Sequence, residues 1–444
     1  MFEAWNNPEY LKNIVEDILK EAIRQGASAA EADIGLNKGF SVTSRMGDVE
    51  SVEYNQDKII DITVYFGQRT GSASLSDLRM EAIQSAVKAA CNIARFGDKD
   101  EFAGLAPKEL LAFNYPDLSV SFPWDITVEQ AIEMTLQCES IGLSQDERIK
   151  NSEGASLSTT AGWHAYGNSH GFIGSYAATR HDISCSLIAQ DGDDMQRDYN
   201  YTLSCDPTLL ESIEWVAKTA AEKTIRRLGA EQLGTRKVPV IFIAEEARGL
   251  LGHFVAAISG GSLYRKSSFL LDCLGKPVFP AHIQIDERPH LLKSLGSAPF
   301  DDNGVATRPN IFIENGVLRN YCLGVYSARK LGMQTTGNAG GVHNLCINTG
   351  QKDLPALLKT MDTGLLVTDL MGQGVNLVTG DYSRGATGFW VENGKIRYPV
   401  EEITIAGNLR DIYANLVEVG ADVDKRGNIQ TGSILIESMT VAGD

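Results

Sequence analysis

The chain has 444 residues, 43% of them hydrophobic and 22% charged, with a formal net charge of −17 at pH 7. That length exceeds a single compact core and predicts two or three domains. The acidity, without any Lys/Arg-rich block, excludes a duplex nucleic-acid binder, which needs a basic face against phosphates. Residues 1–10 carry acidic side chains and no apolar run, and the longest apolar stretches fall far short of a membrane span. Neither a secretory signal nor a membrane partner is expected. The seven cysteines, Cys91, Cys138, Cys185, Cys205, Cys273, Cys322 and Cys346, are widely spaced. A disulfide framework or a cysteine zinc site needs closer clustering, so the expectation is reduced thiols in a cytoplasmic protein.

In chain order, Asn7 is placed to cap a first helix and Pro8 fits its first turn. Leu11, Ile14, Val15, Ile18, Leu19, Ala22 and Ile23 then line one face, and Gly26 ends it. Ile60, Ile62, Val64 and Phe66 alternate with polar neighbours as a half-buried strand does. A second helix is predicted over residues 77–96, with Asp77 as cap and Gly97 as stop. Residues 107–124 hold three prolines without periodicity and read as a linker. Thr127 and Gln130 form a capping box for the next helix. Residues 156–204 read as an antiparallel meander, and Asp206 with Pro207 opens another helix.

Beyond the strand at residues 238–243 and a helix over residues 245–258, short strands dominate. Asn315-Gly316 and Asn393-Gly394 each separate two apolar runs, the strongest short hairpin signal, because both residues accept positive φ. The fold class is α+β: an N-terminal helix-plus-antiparallel-sheet region followed by a sheet-rich, barrel-like C-terminal domain. The expected divisions are an N-terminal α+β domain at residues 1–106, a linker at 107–125, a central α+β segment at 126–236 and a β-rich domain at 237–444.

Familiar catalytic patterns are missing. His164, His170 and His181 lie in the predicted meander, His282 and His290 flank an acidic loop, and no HExxH occurs. These histidines read as polar surface or sheet residues. There is no GxGxxG before a helix and no Walker loop. Nothing beyond the sulfur itself marks Cys273 or Cys346 as a nucleophile.

The informative segment is Gly249-Leu250-Leu251-Gly252-His253-Phe254-Val255-Ala256-Ala257-Ile258. It resembles the TldD/PmbA (TldD/TldE) metallopeptidase family. Further likeness comes, in family order, from Ser262-Leu263-Tyr264-Arg265-Lys266-Ser267-Ser268, from the hairpin around Asn315, and from Ala328-Arg329-Lys330-Leu331-Gly332-Met333. Gly380-Asp381-Tyr382-Ser383-Arg384-Gly385-Ala386 and Glu401-Glu402-Ile403-Thr404-Ile405-Ala406-Gly407-Asn408 are similar to the PmbA/TldE branch.

The family's catalytic member carries His-Glu-x-x-x-His on this helix, whose spacing implies a π-type loosening, and a further cysteine ligand near its C-terminus. Here the first histidine is His253, but Phe254 stands at the Glu position, Ile258 at the second histidine, and no cysteine follows Cys346. The resemblance therefore implies a chain with no catalytic residue and no cofactor of its own, paired with a zinc-bearing TldD-like subunit. It implies unfolded peptides as substrates, as in microcin-precursor maturation and antitoxin degradation. Arg265, Lys266, Tyr382 and Arg384 are the candidate contacts to peptide or partner, and structural salt bridges or turn contacts suit each as well. Two other readings stay open: a standalone, homodimeric hydrolase with an unrecognised site, and a regulatory protein-binding scaffold. Exposed sheet edges would favour self-association of the lone chain.

Overall fold

The computed structural model describes residues 8–443. Helix α1 (Pro8–Arg24) turns Leu11, Val15, Ile18 and Ala22 inward, each fully buried. Asn7, the expected cap, lies outside the described residues. Next come β1 (Ala29–Arg45), β2 (Asp48–Phe66), β3 (Arg69–Leu75) and α2 (Met80–Phe96). The second helix starts three residues later than the sequence suggests, because Asp77 turns its carboxylate onto the Arg79 guanidinium and amide. Then follow α3 (Val128–Leu143), β4 (Ile149–Asn168), β5 (Ile173–Asp191), β6 (Asp194–Ser204) and α4 (Ile213–Arg226). The capping box on α3 forms as expected from Thr127 and Gln130. Asp206 and Pro207 open only a single 3₁₀ turn, and Ser212 caps α4 instead.

These strands make one antiparallel six-stranded sheet in the order β3-β2-β1-β4-β5-β6. The β1–β4 pairing, from Glu31 opposite Asn168 to Ser44 opposite Ala155, joins its two halves. Helices α1 and α2 cover one half, and α3 and α4 the other, each pair with its own apolar core.

The remaining chain contains β7 (Arg236–Phe242), α5 (Ala244–Ile258), α6 (Gly260–Tyr264), β8 (Ile285–Glu287), β9 (Asn310–Glu314) and β10 (Val317–Leu318). It continues through α7 (Val325–Lys330), β11 (Leu345–Ile347), α8 (Leu354–Met361), β12 (Gly364–Met371) and β13 (Asp381–Glu392). It ends with β14 (Lys395–Asn408), α9 (Leu409–Ala414), β15 (Leu416–Val419), β16 (Ile429–Gln430) and β17 (Ile434–Ala442). The order β14-β13-β12-β7-β17 is closed by pairing of β14 with β17 at Thr404–Ala442, Ile405–Val441 and Ala406–Thr440. The expected barrel is thus a real ring, with β15 added outside on β17. Both Asn-Gly turns take the left-handed conformation at both residues: Asn315 and Gly316 at φ 51° and 76°, Asn393 and Gly394 at 54° and 66°. Among the described residues, no helix is long and apolar enough to cross a membrane.

Gly71 shows how tightly α2 lies on the first sheet. A Cβ there would sit 2.5 Å from the Ala94 amide nitrogen and 3.0 Å from the Ala94 Cβ. Gly71→Ala is therefore expected to destabilise the chain by about 1–3 kcal/mol, read as a lower midpoint in urea unfolding. An unchanged midpoint would mean that α2 can move away freely.

Candidate functional site

Strand β7 feeds directly into α5, which lies over the barrel. Ala247, Leu250, Leu251, Phe254, Ala257 and Ile258 form its buried stripe. Glu245, Glu246, Arg248, Gly249, Gly252 and His253 occupy the half-buried opposite side. The two acids in the first turn face the positive end of the helix dipole. Phe254 is edge-on to Phe279 at 5.4 Å and to Tyr413 at 6.2 Å. Tyr413 in turn stacks on Phe279 and donates a 2.8 Å hydrogen bond to the Leu250 carbonyl. The helix remains α-helical to Ile258 and breaks at Ser259, which is extended (φ −68°, ψ 138°), so the π-type loosening is absent.

Zinc does not fit this helix. A structural or catalytic site takes three or four N, S or O donors. Phe254 and Ile258 are both 0% exposed and belong to the apolar core, which leaves His253 without a co-ligand on α5. Among the described residues, no three His, Cys, Asp or Glu side chains converge as a metal-holding group.

His253 does have distinctive company. Its ring lies 6.1 Å from that of Tyr382, edge to face. The His253 Nε2 and the Tyr382 hydroxyl are both buried without a partner in hydrogen-bonding geometry. Burial, helped by the Arg384 charge, lowers the His253 pKa, favouring the neutral imidazole. Burial pushes the Tyr382 phenol up to about 12. The Arg384 guanidinium donates to the carbonyls of Gly372 (3.0 Å) and Leu370 (3.1 Å), fixing it at the end of β12. The structure therefore gathers His253, Tyr382 and Arg384. Arg265 and Lys266 stand elsewhere, at the exposed end of α6, where Arg265 covers the Tyr264 ring at 5.3 Å. The meander histidines have sheet roles: His164 meets Asp33 at 2.6 Å, and His181 bridges Thr159 and the Phe122 carbonyl.

Sequence reasoning missed Glu246, two turns before His253 on the same side of α5. Burial and the neighbouring Asp369 push its carboxyl up to about 7, against the opposing pull of Arg384. The spacing of seven residues between Glu246 and His253 was the available signal. Glu245 beside it is treated differently. Burial would raise its pKa, but Lys223, 3.1 Å away, and the bonded Arg426 more than offset this and lower it. Arg426 also binds Asp424 at 3.0 Å, donates to the Tyr201 carbonyl at 2.8 Å and covers the Tyr201 ring at 4.2 Å. Arg248 completes the knot, donating to the Tyr201 hydroxyl (3.0 Å) and the Arg426 carbonyl (2.8 Å).

The knot forms one wall of a cleft of about 880 Å³ between α4, β6, the start of α5 and residues 291–295. Arg426→Ala leaves Glu245 with Lys223 alone and Asp424 with Arg248 alone, and the loss of these charge-assisted hydrogen bonds is expected to cost about 1.5–3 kcal/mol. A free energy of unfolding in urea within about 0.5 kcal/mol of the parent would show that the knot is only ornament on a surface.

Glu246 gives a pH prediction of definite sign. A carboxyl raised from 4.5 to about 7 on folding stabilises the fold while protonated, and that contribution is lost as pH rises through this window. Asp369, Glu245, Arg384 and Arg248 are the charges that face it. The urea midpoint should fall across that range, and Glu246→Gln should flatten part of the fall. A profile identical in the variant would contradict the assignment.

With this geometry in view, comparison with known proteins is direct. Residues 30–94 match the PmbA/TldA metallopeptidase domain 1, residues 122–228 the central domain and residues 235–443 the C-terminal domain of the same family. The Metalloprotease PmbA homolog of Haemophilus influenzae is 50% identical over 435 residues, spanning 98% of this chain and 96% of that protein. Among solved structures, a candidate modulator of DNA gyrase from Bacteroides thetaiotaomicron aligns with a TM-score of 0.92 at 27% identity, covering 98% of this chain and 99% of its own. TldE from Thermococcus kodakarensis shares the fold, with a TM-score of 0.85 at 20% identity over 97% of this chain and 100% of its own. The chain belongs to the PmbA/TldD metallopeptidase family.

Proposed function

We propose that this chain is the subunit without zinc in a TldD/TldE-type protease. It assembles in the cytoplasm with a zinc-bearing, TldD-like subunit that degrades or trims unfolded peptides. The observation carrying this reading is the burial of Phe254 and Ile258 in the core, where the catalytic relatives of the resemblance need a general base and a ligand. A phenyl ring cannot take a proton from water, and one imidazole cannot outcompete water for zinc. The chain's contribution is then a wall and a foothold for peptide.

The test is metal analysis together with a digest of an unfolded peptide. The purified chain alone should hold no stoichiometric zinc and leave the peptide intact. Mixing with a TldD-like protein should give cleavage that a chelator abolishes. Chelator-sensitive cleavage by the isolated chain would defeat the proposal.

A further inference from the structure

We propose that the cleft between α4, β6 and the first turn of α5 binds an extended peptide through apolar side chains at its rim and a Lys or Arg side chain at Glu246. The inference rests on the reading of this chain as a peptide-handling subunit, and it names the class of peptide.

The rim supplies the apolar half. Leu292 is 67% exposed, Leu209 56%, Tyr199 46% and Trp215 41%, and all four line the same cleft. Large apolar side chains gathered at one concavity mark a recognition surface, whereas singly scattered ones do not. At about 880 Å³ the cleft has room for several side chains at once.

Charge supplies the other half. Seven carboxylates and five cations line the cleft; three of those cations are engaged by acids, Lys425 is exposed, and Asp198 and Asp369 share Arg227. Lys223 is held by Glu245 and Lys293 by Asp206 at 2.8 Å, while Arg426 is shared by Glu245 and Asp424. Arg226 lies over the Phe389 ring at 4.8 Å. Glu246 accepts no hydrogen bond and forms no ion pair within 4 Å among the described residues, although it is half-buried. The complement missing at Glu246 itself is a cation, since Arg384 and Arg248 act on it without pairing. A metal ion does not suit, since no donor trio surrounds the position among the described residues. A basic side chain supplies the charge with its own hydrogen-bond donors.

One turn further along α5, outside the lining of the cleft, Gly249 has no close neighbour. A Cβ there would meet nothing within 4 Å, so packing does not demand glycine, and mid-helix glycine costs about 1 kcal/mol relative to alanine. What glycine provides at that position is an uncovered helix surface.

Fluorescence anisotropy tests the inference on the isolated full chain. The probes are two labelled decapeptides of Leu, Phe and Ser, blocked at both ends, carrying either Lys or norleucine at the centre. The Lys peptide should bind about tenfold more tightly, the worth of one charge-assisted hydrogen bond. Glu246→Gln should erase that preference, and Trp215→Ala should weaken both peptides alike, with thermal melts checking that each variant folds. Equal binding of the two peptides by the parent chain, or a preference that survives Glu246→Gln, overturns the inference. If the mixed complex cleaves peptide while the parent chain lacks the Lys preference, the groove is wrong and the subunit reading stands. A Glu246-dependent preference without cleavage on mixing supports the groove and removes the subunit reading.

Discussion

The architecture around α5 depends on one electrostatic arrangement. Arg426, on the loop between β15 and β16, reaches into the seam between the first sheet and the barrel, where it meets Glu245, Asp424 and the ring of Tyr201. The desolvation cost of bringing such charges together is offset only when every donor and acceptor finds a partner. Here they do. Arg248 takes the Arg426 carbonyl and the Tyr201 hydroxyl, and Lys223 takes the remaining charge of Glu245. Because these groups come from α4, α5, β6 and the β15–β16 loop, their geometry fixes the width of the cleft.

Once α5 is pinned, its buried stripe decides its chemistry. Phe254 fills the space between Phe279 and Tyr413, and burying an aromatic ring is worth several kcal/mol by its cost of removal. A carboxylate there would be enclosed by hydrocarbon and would protonate or unfold its surroundings. The core that makes this helix stable thus excludes the residue types a hydrolytic metal centre requires. His253 lies off that stripe, and so an imidazole persists there without disturbing the packing.

Much of this was legible in the sequence, for reasons that differ by element. The face of α1, the capping box at Thr127 and the two Asn-Gly turns are local signals, set by residues a few positions apart. The barrel was foreseeable as a class, but its closure through β14 and β17 depends on pairing across more than thirty residues, beyond any periodicity. The loss of the Glu and second His was visible as Phe254 and Ile258. Tyr382 and Arg384 stand two apart on β13, but their meeting with His253 on α5 could be suspected only from resemblance. Arg265 and Lys266 looked alike in sequence, yet α6 directs them to a different surface. Arg426 gave no signal at all, because its partners lie at positions 201, 245 and 424.

Adjacent residues sharpen the point about Glu246. Glu245 and Glu246 are the same residue type in the same helical turn, both substantially buried, yet one is neutralised by two cations and the other by none. Burial without a partner penalises a carboxylate, and the Asp369 charge adds to that penalty. Nothing in local packing requires a carboxylate at 246, because its helix dipole benefit is equally available to Glu245. A group that destabilises the free protein at neutral pH and faces an open cleft is best accounted for by what it meets when that cleft is filled. A cationic side chain arriving there would relieve the penalty and gain a strengthened ion pair in the same step. The energy that is unfavourable in the empty chain thereby becomes selectivity in the occupied one.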